Sequence, residues 1–484
     1  MPPTWRSSGS SVSWCPLADD LERGDLDPPE KTGDAKPAAA VAARDVTAEL
    51  ARVECALAAR QPTQMAPDLS RITALVDLLG HPELAYPTIH ITGTNGKTSM
   101  ARMVDALLGA FGLRPGRYTS PHLKSVTERI SIDGKPASPE AFVRAYDDVA
   151  PYAELLDARN AQRVTYFELI TAMAFSAFAD APVDVGVIEV GMGGTWDATN
   201  VVDSAVQLIG PITLDHPELG STVAEVAGEK AGILREGAVA VIAQQDVEAA
   251  TVLLRRAAEL GTTVAREGLE FGVVSRSLAV GGQLVTLKGL GGEYDDLLLP
   301  LHGAHQAHNA ACALAAVEAF LGGSSERRID VEAVRAGFAA VTSPGRLETV
   351  RSSPTVLLDG AHNVAGAQAL AAAIAEEFAF NRLVGVVGVL GDKDVAGMLA
   401  ALEPVLDVVV LTQNASPRAL GADDLAALAV DVFGADRVEV EPRLDDAIDA
   451  AVRLAEEDAT YGGSGVIVTG SLVTVGEART LLRR

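Results

Sequence analysis

A lysine preceded by glycine and followed by two hydroxyls, Gly96-Lys97-Thr98-Ser99, closes the run Thr88-Ile-His-Ile-Thr-Gly93-Thr94-Asn95. β-branched residues, a short glycine loop and then apolar residues at helical spacing (Met100–Leu108) read as strand, tight loop and amphipathic helix. Glycines let backbone N–H groups approach phosphate oxygens, and a helix N-terminus adds the positive end of its dipole. Lys97 can reach β- and γ-phosphates, while the hydroxyl of Thr98 or Ser99 can reach an accompanying Mg²⁺. The implied chemistry is binding of a nucleoside triphosphate. Gly93 and Gly96 have two residues between them where the common phosphate-loop pattern has four, so the bare spacing also fits an ordinary strand-to-helix turn. The strand–loop–helix order favours the nucleotide.

Mg²⁺ takes hard oxygen ligands. The apolar run Val183–Val190 ends in Glu189 beside a glycine-rich turn, and the next strand-like run ends at Asp215-His216. Carboxylate and imidazole at the C-terminal ends of strands next to a nucleotide loop stand where ligands bind in an open parallel sheet. Taken singly, Glu189 also fits a structural acid and His216 a non-ligating imidazole. Three strand ends in one crevice give a candidate Mg-ATP site of Gly93–Ser99, Glu189 and His216.

The elements that must position these residues alternate. Helical spacing marks Val46–Leu57, Leu69–Leu79, a helix containing Met173–Phe178, His305–Phe320 and Val331–Ala340; buried strands are expected at Pro87–Ile91, Val183–Val190, Val206–Ile212 and Val239–Ala243. Phe271–Leu287 alternates like an antiparallel hairpin. After the Ser-Pro-Gly turn near residues 342–346 the β/α pattern restarts. Strands are expected at Thr355–Leu358, Leu383–Leu390, Val408–Thr412, Val438–Val440 and Gly465–Thr469. Helices are expected at Ala365–Glu377, Leu425–Val432 and Leu444–Glu456. The expected organisation is a disordered extension over residues 1–44, a nucleotide-binding domain over 45–342 and a smaller α/β domain over 343–484.

With 484 residues, 48% hydrophobic and 21% charged, the chain has ample material for more than one globular core. Its net charge of −26 argues against non-specific nucleic-acid binding and requires local cations and metal to meet an anionic substrate. No apolar run approaches a membrane span, and the N-terminus lacks the hydrophobic stretch of a secretion signal. Cys15, Cys55 and Cys312 have no metal-like spacing. They are expected to be free, small buried thiols of a cytoplasmic protein.

Ordered blocks then identify a resemblance. Gly93-Thr-Asn-Gly-Lys-Thr98, Thr119-Ser-Pro-His-Leu123, Glu128-Arg-Ile130, Glu189-Val-Gly-Met-Gly-Gly194, Asp197-Ala-Thr-Asn200, Leu214-Asp-His216 and Glu229-Lys-Ala-Gly-Ile233 occupy the first part. His305-Gln-Ala-His-Asn309, Pro344-Gly-Arg-Leu-Glu348, Asp359-Gly-Ala-His-Asn363 and Gly391-Asp-Lys-Asp394 follow. From about residue 45 onward the chain resembles the folylpolyglutamate synthase/dihydrofolate synthase branch of the Mur ligase superfamily. The resemblance implies an α/β fold: a P-loop, Mur ligase-like ATPase domain with a parallel-rich sheet, and a smaller Rossmann-like C-terminal domain. It implies that Ser120 joins Glu189 and His216 around two Mg²⁺ ions, and that Lys230 is carbamylated and acts with Lys97 and His216 in catalysis. It places Asn309 and His362 at adenine, and Arg346 and Asp359 at phosphates or ribose. Thr119, Ser120, Pro121, His122, Asp197 and Thr199 would wall the pterin or folate site, with Ser471 near the incoming L-glutamate. A monomer is also implied.

The implied reaction is ADP-forming amide synthesis. Phosphorylation of a pteroate or folate carboxylate gives an acyl phosphate, which the neutral amine of glutamate attacks. Three positions depart from the family pattern. Thr195-Trp196 replaces an expected basic residue and a smaller one, the His216–Gly220 loop is one residue short, and Val364 stands where proline is common. Two rivals remain. Another Mur-type amino-acid ligase would need a uridine-nucleotide domain before Gly93, for which there is too little chain. A non-catalytic nucleotide-binding regulator would have no need of the Asp359/His362 block.

Overall fold

The computed structural model describes residues 38–62, 67–323, 327–457 and 463–483, with side chains from residue 45 onward. The segment expected to be disordered over 1–44 therefore lies, up to residue 37, outside the described residues. Helix α1 (Ala38–Ala58) begins inside that segment. It is followed by α2 (Ser70–Leu78), β1 (Thr88–Thr92), α3 (Lys97–Ala110), β2 (Pro115–Tyr118), β3 (Ile130–Ile132) and β4 (Lys135–Pro136). Next come α4 (Pro139–Asp157), α5 (Tyr166–Asp180), β5 (Val185–Glu189), β6 (Ser204–Ile209), α6 (Val223–Lys230), β7 (Val239–Ile242), α7 (Val247–Leu260) and β8 (Thr263–Arg266). These strands form one eight-stranded sheet in the order β4-β3-β2-β5-β1-β6-β7-β8. Every pairing from β2 to β8 is parallel.

Strands β1 and β5 are buried along their whole length, as strands covered on both faces must be. Side chains alternate across the sheet. Ile89, Ile91, Val185 and Val187 join one core with α3, α8 (Ala304–Leu321) and α9 (Val331–Ala339). Tyr118 and Ile188 join the opposite core under α1, α2, α4 and α5. The alternating stretch near residue 271 is a three-stranded antiparallel sheet of β9 (Gly272–Ala279), β10 (Gly282–Lys288) and β11 (Glu293–Leu299), one strand more than the expected hairpin.

The second large sheet has the order β12-β13-β17-β14-β15-β16. Its strands are β12 (Glu348–Ser352), β13 (Thr355–Leu358), β14 (Arg382–Val387), β15 (Val408–Leu411), β16 (Val438–Val440) and β17 (Ser464–Thr469). Only β12 runs antiparallel. Around it pack α10 (Val364–Glu377), α11 (Val395–Leu402), α12 (Ala422–Phe433), α13 (Leu444–Glu457) and α14 (Leu472–Leu482). The fold is thus the expected α/β arrangement, with a parallel-rich sheet in each half. Among the described residues no helix is long and apolar enough to cross a membrane. Of the cysteines expected to be small buried thiols, Cys312 is free and buried, whereas Cys55 is only half-buried. Cys15 lies outside the described residues.

A polar clasp joins the two halves at the end of α10. The carboxylate of Glu377, 2% exposed, accepts from Arg276 Nη1 at 2.9 Å and Gly303 N at 2.7 Å, and pairs with His302 Nδ1 at 2.8 Å. Removing such an acceptor leaves the buried Gly303 amide unpaired and Arg276 with only its more exposed ion-pair partner Glu376, which costs a few kcal/mol. Glu377→Ala should therefore destabilise the protein by about 3 kcal/mol, read as an earlier urea transition. A shift no larger than that of an exposed Glu332→Ala control would refute the clasp.

Candidate functional site

Strands β5, β1 and β6 are neighbours, so the loops at their C-terminal ends meet in one crevice. The loop after β1 turns sharply into α3. Gly96 caps that helix at φ 81°, and a Cβ there would stand 2.6 Å from Asn309 Oδ1 on α8. Glycine is required by both backbone conformation and space. Thr94 Oγ1 donates to Thr213 O and accepts from Thr213 N, both at 3.0 Å, tying this loop to the one after β6.

Two lysines converge on the loop. Lys97 Nζ donates to Gly93 O at 3.0 Å and Thr94 O at 3.1 Å, and Lys230 Nζ, from the end of α6, donates to the same Gly93 O at 2.9 Å. Burial, then the charge of Lys97, brings Lys230 down to about 7. Enclosure also lowers Lys97, against the pull of Glu189 and Asp215. Across the crevice, Glu189 accepts from Thr98 Oγ1 at 2.9 and 3.0 Å and from Ser120 N at 3.2 Å. Burial raises its pKa, and the charge of Lys97 opposes this.

Of the three residues expected around Mg²⁺, Ser120 and Glu189 are therefore in contact. His216, at φ 58°, lies with Nε2 3.7 Å from Asp215 Oδ2. Among the described residues no three His, Cys, Asp or Glu side chains cluster as a metal cage. A carboxylate with a neighbouring hydroxyl still suits Mg²⁺, which usually takes one or two carboxylates and keeps several waters.

The far side of the crevice is a cleft of about 340 Å³ between the two large sheets. It is lined by Asn95, Gly96 and Ser99 of the loop, His305 and Asn309 of α8, and Arg346, Asp359 and His362 from the following chain. His362 Nδ1 donates to Gly360 O at 2.8 Å, and burial first, with the charge of Arg346 adding, holds the ring neutral with a pKa of about 4. Its other nitrogen is then left as an acceptor. Asp359 fixes the adjoining turn by accepting from Leu347 N at 3.0 Å and Ala361 N at 2.9 Å.

A second, larger cavity of about 690 Å³ lies on the other side of Glu189. Ser120, Pro121, Phe167, Trp196 and Asp197 line it. Three expected substrate contacts do not reach it. Thr119 is 3% exposed and its N–H donates to Arg129 O. His122 accepts from Arg129 Nε at 3.0 Å and lines a separate groove against α14. Thr199 is 0% exposed, its hydroxyl engaged by Asp197 at 2.6 Å and His90 at 2.9 Å. Ser471 is also used structurally: it caps α14, accepting from Val473 N at 3.1 Å. The loop carrying Ser120 ends at Leu123, which packs into the core of the second sheet. A Cβ on Gly476 of α14 would stand 2.0 Å from Leu123 O.

Two site groups escaped the residue-by-residue reading. Lys393 Nζ reaches across to Asp215 Oδ1 at 2.7 Å, and Asn363 Nδ2 bridges Asn95 Oδ1 and Asp215 Oδ2, each at 3.1 Å. Burial disfavours the ionised Asp215, but the Lys393 hydrogen bond and nearby cations hold it at about 2. Both groups sit in blocks that resemble the family, Asp359–Asn363 and Gly391–Asp394, yet only folding brings them to the phosphate loop. Gly96→Ala should weaken ADP binding at least about tenfold, since the left-handed conformation alone costs a side chain roughly 1–2 kcal/mol. Calorimetric titration with ADP measures it, and an unchanged affinity would contradict the steric role given to Gly96.

Comparison with known proteins agrees with this geometry. The Mur ligase middle domain matches residues 91–317, and the Mur ligase glutamate ligase domain matches 345–472. The chain is 54% identical over 463 residues to the dihydrofolate synthase/folylpolyglutamate synthase of Mycobacterium tuberculosis, covering 91% of this chain and 95% of that protein. It is 35% identical over 420 residues to the protein of the same name from Bacillus subtilis, covering 86% and 95%. The crystal structure of Mycobacterium tuberculosis folylpolyglutamate synthase complexed with ADP and AMPPCP superposes with a TM-score of 0.87 at 55% identity, over 91% of this chain and 99% of that one. A folylpolyglutamate synthase complex with AMPPCP and folate gives a TM-score of 0.78 at 31% identity, over 90% and 99%. With its phosphate loop, two-sheet cleft and both ligase domains in place, the chain belongs to the dihydrofolate synthase/folylpolyglutamate synthase family of Mur ligases.

Proposed function

We propose that this chain joins L-glutamate to the carboxylate of dihydropteroate or a reduced folate, using ATP and releasing ADP and phosphate. The observation that carries this reading is a phosphate loop that lines the cavity between the two large sheets and is joined, through Thr98, Glu189 and Ser120, to a second cavity walled by Ser120, Pro121, Phe167, Trp196 and Asp197. ATP takes the first, with adenine beside Asn309 and His362 and phosphates or ribose beside Arg346 and Asp359. The pterin substrate takes the second. Its carboxylate then faces the γ-phosphate across Glu189.

Lys97 leaves the loop carbonyls for the β- and γ-phosphates and spreads the charge that develops as the phosphoryl group moves. The resulting acyl phosphate is open to the neutral amine of glutamate, and an amide forms as phosphate departs. Enclosure between two sheets keeps water from the intermediate and holds three reactants in one geometry. Mg²⁺ bound by Glu189, Ser120 and His216, with the Thr98 hydroxyl beside them, would supply charge neutralisation on the phosphates. Closing the mixed carboxylate, hydroxyl and imidazole set requires His216 to leave Asp215. The working unit of this reading is a monomer, in the cytoplasm where ATP and folates meet.

Lys230 is proposed to carry a carbamate. Carbamylation needs a neutral amine, and a group with a pKa of about 7 is mostly neutral at pH 8. Protein equilibrated with ¹³C-bicarbonate should show a carbamate carbon resonance that is lost in Lys230→Arg. No such resonance at pH 8 would mean that Lys230 acts as a plain amine.

The direct test of function is ADP release with dihydropteroate and with tetrahydrofolate, each with and without L-glutamate. Glutamate-dependent release is expected with at least one. Lys97→Ala should abolish it, by about a thousandfold or more for loss of a phosphate-stabilising cation, with an unchanged melting temperature. Release dependent on a different amino acid and a nucleotide-linked acceptor would instead point to another Mur-type ligase. ADP binding without turnover would point to a regulator.

A further inference from the structure

The loop after β5 is held in place by an unusual number of partners. Asn200 Nδ2 donates to Thr195 O at 3.1 Å and Gly232 O at 3.2 Å, while Arg235 Nη2 donates to Asn200 Oδ1 at 2.7 Å. Within the loop, Asp197 accepts from Met192 N at 2.8 Å and Thr199 N at 3.0 Å. One support comes from the central strand. His90 stands on β1 between Ile188 of β5 and Gln207 of β6, facing away from the core that holds Ile89 and Ile91.

Donor and acceptor roles along this chain of contacts follow from chemistry. Burial raises the pKa of Asp197, while the hydrogen bonds from Thr199 and Met192 favour its ionised form; as a carboxylate it only accepts, so the single hydroxyl proton of Thr199 goes to Asp197 Oδ1 at 2.6 Å. Thr199 Oγ1 must then accept from His90 Nε2 at 2.9 Å. That fixes the tautomer: Nε2 carries the proton, and Nδ1 is the bare lone pair, buried without a hydrogen-bond partner. Burial keeps the imidazole neutral, at about 3. His90 is 0% exposed and lines neither cavity. Its polar end is spent on Thr199.

We infer that His90 is a positioning residue for substrate recognition, acting through Thr199 to aim the Asp197 carboxylate into the larger cavity. The inference rests on the assignment of that cavity to the pterin substrate. Asp197 lies there beside Trp196 and Phe167; among the described residues it forms no close ion pair and feels Lys97 and Lys230 only at longer range. Thr199 fills Oδ1, and Oδ2, which accepts from Met192 N, keeps lone-pair capacity for an N–H donor of a planar heterocycle stacked beside the aromatic rings. Its value depends on direction, because a carboxylate free to rotate loses the in-plane geometry of such a contact. His90 is also three residues before Gly93, so one strand fixes both this carboxylate and the phosphate loop.

The test uses full-length protein and two pairs of variants. His90→Leu and Thr199→Val remove the hydrogen bonds at nearly constant volume, whereas His90→Gln and Thr199→Ser keep a donor at each point. Removing a hydrogen bond to a charged group typically costs roughly ten- to a hundredfold. The KM for the pterin substrate should therefore rise by about that factor in the first pair and return to within about threefold of wild type in the second. The KM values for ATP and L-glutamate should stay put. Dihydropteroate binding, followed by fluorescence of Trp196 and the pterin, should weaken in parallel without any need for turnover. Uniform changes in all three KM values, or no change in pterin affinity in Thr199→Val, would overturn the inference. If wild type binds dihydropteroate but releases no glutamate-dependent ADP, the ligase reading fails while the relay stands or falls on the binding data alone.

Discussion

One carbonyl oxygen organises the site. Gly93 O accepts from Lys97 and Lys230, so two ammonium groups share a single partial negative charge in a buried pocket. Coulomb repulsion at that range is strong in a poorly screened interior. It is met by Glu189, Asp197 and Asp215 around the lysines, and by the lowered pKa of Lys230. The arrangement holds without nucleotide, yet leaves Lys97 on weak acceptors that phosphate oxygens readily replace. The same pocket therefore keeps one lysine available and the other close to neutral.

The two halves of the chain meet through polar contacts of differing character. At Glu377 the acceptor is 2% exposed and takes three partners, which suits a fixed junction. At Asp215 the partners are Lys393 and Asn363, the latter also bonded to Asn95 of the phosphate loop. Buried charge pairs contribute little net stability once desolvation is counted, but they penalise wrong geometries severely. Here the penalty falls on misplacing the second sheet against the phosphate loop.

Local features of the site were legible in the sequence because strand, loop and helix follow one another there. Strands β1, β5 and β6 could be read for the same reason, and their convergence follows from the parallel topology. Strand β2 was not legible: its Pro115-Gly116 pair reads as a turn, and only pairing with β5 makes it a strand. Lys393 and Asp215 are 178 residues apart, a relation that no periodicity reports. Thr199 illustrates a different limit. Its block adjoins the wall of the larger cavity, but the number of hydrogen bonds its hydroxyl can make is settled only once His90 and Asp197 are known to reach it. Ser471 poses the same difficulty, since a helix cap and a substrate hydroxyl look alike in one dimension.

The approach of Leu123 to Gly476 sets a mechanical condition on turnover. A loop whose tip lies flush on α14 cannot remain in place if the cleft widens to let a bulky product out. Either the tip is pulled free, or it travels with the C-terminal half and draws Ser120 away from Glu189. In the second case egress and dismantling of the acid-lined pocket become one event. The contact that completes the centre is then broken as the mouth opens, and must be rebuilt before another round.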